Sequence, residues 1–298
     1  MNMKRLALVG IATILLLSVV LPSLACAVPA QTSDAEITPK ITVKGPAAMG
    51  KPAKPPTQAA TGILGTQVTG EKYAIVIGIS DYSGEENDLD YADDDALDMK
   101  TALITVYGYS ESNIILLIDD DATRSNIASA INSLKESVGS GDEVVFFYSG
   151  HGARGKANDG DKELIDEAIV PYECTAESLI WDGELAQMFS TFKTSRIIFI
   201  FDSCYAGGMT DLKADGRIVV MACSESGLSY EFESVQNGQF TYYFVEQGII
   251  YGNADIYDHN NDPNKADVTI EEAFDYAKAN CKYQNPVISD SFTNDLLP

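Results

Sequence analysis

Between Tyr73 and Cys223 the chain alternates two kinds of apolar pattern. Unbroken runs, "YAIVIGIS" at 73–80, "NIILLID" at 113–119, "VVFFYS" at 144–149, "RIIFIF" at 196–201 and "RIVVMAC" at 217–223, read as strands buried on both faces. Between them the apolar residues fall at helical spacing. Ala96, Met99, Leu103 and Val106 share one face and the pattern stops at Gly108, Thr123 caps a helix running to about Val138, and "WDGELAQMFSTF" supplies a third. "FTYYFVEQGI" and "TIEEAFDYAKAN" read as later helices, the second opened by a Thr269 and Glu272 capping box, and "PVIS" near the end as a sixth strand. This rhythm predicts one α/β domain, a mostly parallel sheet of about six strands with helices on both faces.

Two of the strand runs end in chemistry. The run at 144–149 opens into Gly150, His151 and Gly152, and the run at 196–201 opens into Asp202, Ser203 and Cys204, followed by Gly207 and Gly208. In open parallel sheets ligands collect at the carboxyl edge of the strands, so both groups stand where reactions take place. A thiol and an imidazole about fifty residues apart in sequence can still form a dyad if their strands are neighbours.

The remaining composition refines this picture. With 298 residues and 45% hydrophobic content the chain can bury a substantial core. Residues 1–27 carry Lys4 and Arg5, an apolar run and Ala25-Cys26-Ala27, the pattern of a secretory signal, so the protein is expected to be exported to the envelope or medium. An uncleaved anchor helix or a lipid on Cys26 are the alternatives, and the only membrane association foreseen. Residues 28–70, rich in Pro, Ala and Thr, read as a flexible stalk or pro-segment, leaving 71–298 as the domain. The formal net charge is −24, and removing Lys4 and Arg5 with the signal makes it −26, which excludes nucleic acid as a partner and suits cations or basic peptides. Cys174, Cys204, Cys223 and Cys281 follow the signal without a CxxC pair, so neither a zinc site nor a disulfide scaffold is expected.

"LDYADDDALDM" at 89–99, "YSGHG" at 148–152 and "DSCYAGG" at 202–208 resemble the blocks of caspase-like cysteine peptidases, above all metacaspases and their prokaryotic relatives. Clostripain- and gingipain-like peptidases share the His-Gly and Cys blocks and are the nearest rivals. The resemblance implies the caspase-like fold, Cys204 as nucleophile, His151 as its acid and base, and an oxyanion hole from the amides of Gly152 and Cys204. It also implies a primary specificity pocket of Asp95, Ser149 and Asp202, selecting protein or peptide substrates with Arg or Lys before the cleaved bond, and a monomeric enzyme without organic cofactor. Asp166, Asp182 and Asp211 match positions that bind calcium in calcium-dependent metacaspases, although Gly183 stands where relatives often have a second acid. Self-processing is expected at Lys213 or Arg217, or at Lys51 or Lys54. A loop at Asp258, Asn260 and Asp262 has EF-hand spacing, but Pro263 and Thr269 replace its Gly and Glu. The contrasting reading is an idle caspase-fold module used for binding.

Overall fold

The computed structural model describes residues 35–44, 58–159 and 164–298. The signal segment and the lysines at 51 and 54 lie outside the described residues. The strands, in chain order, are β1 Glu36–Thr38, β2 Ile41–Val43, β3 Lys72–Gly78, β4 Ile114–Ile118, β5 Glu143–Ser149, β6 Gly152–Gly155 and β7 Asp166–Ile169. They continue with β8 Ile180–Trp181, β9 Ile197–Asp202, β10 Arg217–Met221, β11 Tyr230–Phe232, β12 Asn237–Gly238 and β13 Val287–Asp290. The helices are α1 Ala92–Thr105, α2 Arg124–Ser137, α3 Asp182–Phe189, the short α4 Gln239–Thr241 that runs on as a π-helix through Tyr242–Ile250, and α5 Ile270–Asn280.

Six strands form the central sheet in the order β13-β10-β9-β5-β3-β4, with only β13 antiparallel. The unbroken apolar runs are explained by alternation into two buried layers. Val144, Phe146, Phe199 and Phe201 join one core with Ile131 of α2 and Leu185 of α3, while Val145, Phe147, Ile198 and Ile200 join the other with Met99 of α1 and Phe274 of α5. Each fully buried Phe or Ile contributes about 1.5–3 kcal/mol, which is why so few polar positions interrupt these strands. Thr123 caps α2 by accepting from the Asn126 amide, and the Thr269 and Glu272 capping box opens α5 as the sequence predicts.

Within the segment expected to be a flexible stalk or pro-segment, residues 36–38 and 41–43 form paired strands. β1 pairs antiparallel with β6, and β2 pairs parallel with β11. Ladder hydrogen bonds to the edges of two small sheets hold the segment, and these need no apolar periodicity of its own. Among the described residues no helix is long and apolar enough to cross a membrane.

Candidate active site

β5 and β9 are neighbours, and their register pairs Ser149 with Asp202, so the two reactive blocks leave the sheet side by side. Gly152 packs so tightly on the nucleophile loop that a Cβ there would overlap the Cys204 carbonyl. Only glycine permits that approach. Tyr205 adopts a left-handed conformation, φ 60°, turning the chain directly after Cys204.

The imidazole of His151 is 1% exposed and stacks on Tyr82, centroids 4.2 Å apart. The Tyr82 hydroxyl accepts from the His151 amide at 2.8 Å, and the Tyr148 hydroxyl donates to its carbonyl at 2.7 Å. Nε2 lies 2.6 Å from the Asn87 carbonyl, which can only accept, so Nε2 carries the proton. Nδ1 is then the lone-pair nitrogen, and it is buried without a hydrogen-bond partner. Burial foremost, with the nearby Lys40 charge, pulls His151 down to about 4 against the opposing pull of the Asn87 carbonyl and Asp88. The ring is neutral and its tautomer is set for a base acting through Nδ1.

Cys204 is also 1% exposed, and burial pushes its thiol up to about 11 although the Ser229 amide and Lys40 favour the thiolate. The Ser229 amide donates to Sγ at 3.3 Å, and the thiol donates to the Pro39 carbonyl at 3.3 Å. Cys174, Cys223 and Cys281 are, like Cys204, free. Burial raises all three thiols, and no histidine is among their partners.

Asp95, Ser149 and Asp202 come together as the resemblance implies, and all three are fully buried. They surround one cation, Lys40, whose Nζ lies 3.0 Å from Asp95, 3.2 Å from Asp202 and 2.7 Å from the Ser149 Oγ. Ser149 donates to Asp95 at 2.6 Å, the Gly238 amide donates to Asp95 at 2.8 Å, and the hydroxyls of Ser229 and Thr241 donate to Asp202 at 2.6 and 2.7 Å. Sequence reasoning missed Lys40, Ser229, Gly238 and Thr241. Gly238 is required, since a Cβ there would press on both carboxylates and on the Lys40 Nζ. Burial acts to discharge Lys40, but Asp202, Asp95 and Glu231 outweigh it and hold the ammonium charged. Burial, opposed by Lys40 and reinforced by Asp202, pushes Asp95 up to about 7.

A second acidic group lies on the α3 side. Carboxylate oxygens of Asp159, Asp166 and Asp182 fall within 4.8 Å of one another. Asp166 and Asp182 belong to the expected set, and Asp159 was missed. Asp211 lies outside this group, although its charge raises Asp182. The Gly183 amide donates to Asp159 and Asp182, both at 3.0 Å, and the Ala157 amide donates to Asp166 at 2.8 Å. Asp182 Oδ2 is buried without a hydrogen-bond partner, and burial, with repulsion from Asp159, Asp211 and Glu167, pushes Asp182 up to about 9. Elsewhere, the EF-hand-like spacing serves the loop itself, because Asp258 and Asn260 both accept from the Asp262 amide. Of the expected processing residues, Lys213 is exposed, whereas Arg217 is buried with its guanidinium on the carbonyls of Leu212 and Phe189.

Residues 72–213 match the family model described as metacaspase, peptidase C14 domain. Metacaspase-1A of Aspergillus terreus is 33% identical over 181 residues, covering 55% of this chain and 45% of its own length. Metacaspase-4 of Arabidopsis thaliana is 38% identical over 148 residues, 47% of this chain and 34% of its own, and metacaspase-1 of Saccharomyces cerevisiae is 33% identical over 174 residues, 53% and 40%. The chain thus spans less than half the length of these curated relatives. Among solved structures, protein GSU0716 from Geobacter sulfurreducens superposes with a TM-score of 0.55 at 18% identity, covering 74% of this chain and 93% of that one. That likeness shows the fold alone.

Proposed function

We propose that this chain, which over residues 72–213 belongs to the caspase-like peptidase C14 superfamily, is an exported cysteine endopeptidase that cleaves after Lys or Arg. The observation that carries the reading is the cation in the pocket: a lysine side chain already satisfies Asp95, Ser149 and Asp202 beside the Cys204 sulfur. A substrate lysine or arginine would make the same contacts, while an aspartate would add a third carboxylate to a desolvated site.

The chemistry follows from the residues present. His151 Nδ1 takes the thiol proton, Sγ attacks the scissile carbonyl carbon, and the amides of Gly152 and Cys204 stabilise the oxyanion. The imidazolium then gives its proton to the departing amine, and water attacks the thioester with His151 again as base. Tyr82 and the Asn87 carbonyl hold the ring's plane and tautomer throughout.

Asp159, Asp166 and Asp182 offer hard oxygen ligands, one with an unpartnered buried oxygen, and this donor set fits calcium. Bound there, the ion would neutralise three converging acids.

The test uses residues 28–298 with Lys40→Ala, which empties the pocket, and a fluorogenic peptide panel varied at the residue before the cleaved bond. Cleavage after Arg and Lys, abolished by Cys204→Ala, is the expected result. Cleavage after Asp, or none from a folded chain, overturns the proposal.

A further inference from the structure

Lys40 does not arrive in the pocket as a substrate would, and the direction of the chain around it shows why. The residues before it, Glu36–Thr38, run along β6, with Thr38 opposite Gly152, the residue that follows His151. The residues after it, Ile41–Val43, run along β11, with the Ile41 amide donating to the Ser229 carbonyl at 3.1 Å. Hydrolysis after Lys40 would make the Ile41 nitrogen the leaving amine. That nitrogen must be protonated by His151 and so must lie on the histidine's side. Here it is bonded to the Ser229 carbonyl at the start of β11, while the residue paired beside the histidine is Thr38, on the other side of the lysine.

The sulfur tells the same story. The carbonyl oxygen bonded to Sγ is that of Pro39, the residue before the pocket lysine, and the thiol meets it as a hydrogen-bond donor. Thr38 adds a hydroxyl contact to Tyr205 at 3.1 Å, and Lys40 itself is 4% exposed. The side chain is recognised while the backbone runs backwards.

We propose that residues 36–43 are a built-in inhibitor, a strap whose Lys40 occupies the specificity pocket with the chain direction reversed, so that it covers Cys204 without being cut. The ligand class of the cleft is thereby extended: it binds lysine-bearing peptides in two orientations and hydrolyses one. The strap's hold comes from the ion pairs of one side chain and two short ladders, so the catalytic groups are released when the strap leaves. The strap rests on the peptidase reading for its consequence, but its covering of Cys204 can be measured without any peptidase activity.

The experiment compares residues 28–298 as wild type, Lys40→Ala and Lys40→Gln, each checked for folding by circular dichroism and thermal unfolding. The first measurement is the rate of Cys204 alkylation by iodoacetamide, with Cys204→Ala as the blank. The folded variants are expected to label at least about tenfold faster than wild type, since breaking a buried ion pair shifts such an equilibrium by more than that factor. Equal rates in a folded variant overturn the strap. The second measurement adds a synthetic peptide of residues 35–44 to the Lys40→Ala protein. It is expected to slow alkylation and to be recovered uncut by mass spectrometry, whereas the same peptide with alanine at position 40 has no effect. Cleavage between Lys40 and Ile41 overturns the reversed orientation. Faster alkylation without hydrolysis of any Arg or Lys peptide upholds the strap and overturns the peptidase reading instead.

Discussion

Two groups of carboxylates, buried apart from the half-buried Asp159, differ in what neutralises them. Around Asp95 and Asp202 the charge is answered by the Lys40 ammonium and by donors from Ser149, Ser229, Thr241 and the Gly238 amide. Around Asp159, Asp166 and Asp182 the amides of Ala157 and Gly183 donate, and one Asp182 oxygen is buried without a hydrogen-bond partner. The outcome is legible in the acidity of the two sites. Asp95 rises to about 7 with a cation beside it, and Asp182 to about 9 through burial and repulsion from Asp159, Asp211 and Glu167. A buried acid without a cation keeps its proton, so the first group holds its cation within the chain, and the second is the one for which calcium is proposed.

The comparison breaks most visibly if one carboxylate is taken from the first group. In protein freed of the strap by Lys40→Ala, adding Asp202→Ala is expected to lower kcat/KM for Arg substrates by about 2–5 kcal/mol, the cost of removing one partner from a buried charge pair. Alkylation of Cys204 by a small neutral reagent should continue. Loss of alkylation together with turnover would mean that Asp202 supports the nucleophile loop rather than the substrate.

A smaller effect sharpens the other side. Calcium should raise the midpoint of thermal unfolding, by an amount corresponding to about 2.7 kcal/mol when the free ion is a hundredfold above its dissociation constant. Because Asp182 is protonated at neutral pH, binding should release a proton, measurable by titration in buffers of different ionisation enthalpy. Asp182→Asn should remove both signals. A thermal shift without proton release would place the ion elsewhere.

How much of this was readable in advance depends on the range of the interaction. The inner strands β3, β5, β9 and β10 were legible because each buries most of both faces and leaves an unbroken apolar run, and His151 and Cys204 were legible because they end two such runs, while the edge strands β4 and β13 are only half-buried. The pocket acids, Asp95 and Asp202, needed the likeness to known peptidases, since Asp95 stands among Asp93, Asp94 and Asp98 with nothing local to single it out. The strap was not legible. β1 and β2 are three residues each, too short to show a period, and Pro39 between them resembles its Pro-rich surroundings. The meaning of Lys40 comes from contacts with residues 55 and 109 positions away. Asp159 escaped for a related reason, lying outside every recognised block while folding against two that were recognised.

The smallest expected effect is a change in slope, and its sign follows from the same contrast. Asp182 in the folded chain titrates near 9, far above the ordinary carboxylate value it regains on unfolding. The folded state therefore holds the extra proton. Its contribution to stability is complete below about pH 4 and is lost as pH rises from there through about 9. Without calcium, stability measured by urea unfolding should fall across pH 5 to 8. Asp182→Asn cannot lose that proton, so its profile should be flatter by some fraction of about 1.4 kcal/mol per pH unit, the full slope of one group. The flattening will be partial, because Glu271, raised to about 9 by its burial, and Asp95, raised to about 7, act in the same direction, and His151, pulled down to about 4, opposes them below about pH 6.5, all untouched by the substitution. Saturating calcium should act with the opposite sign, since the ion displaces the proton and binds more tightly as pH rises. Wild type and Asp182→Asn should then differ most at high pH with calcium present. If calcium leaves the wild-type slope unchanged while Asp182→Asn still flattens it, Asp182 is a buried acid with no part in ion binding, and the contrast between the two groups fails.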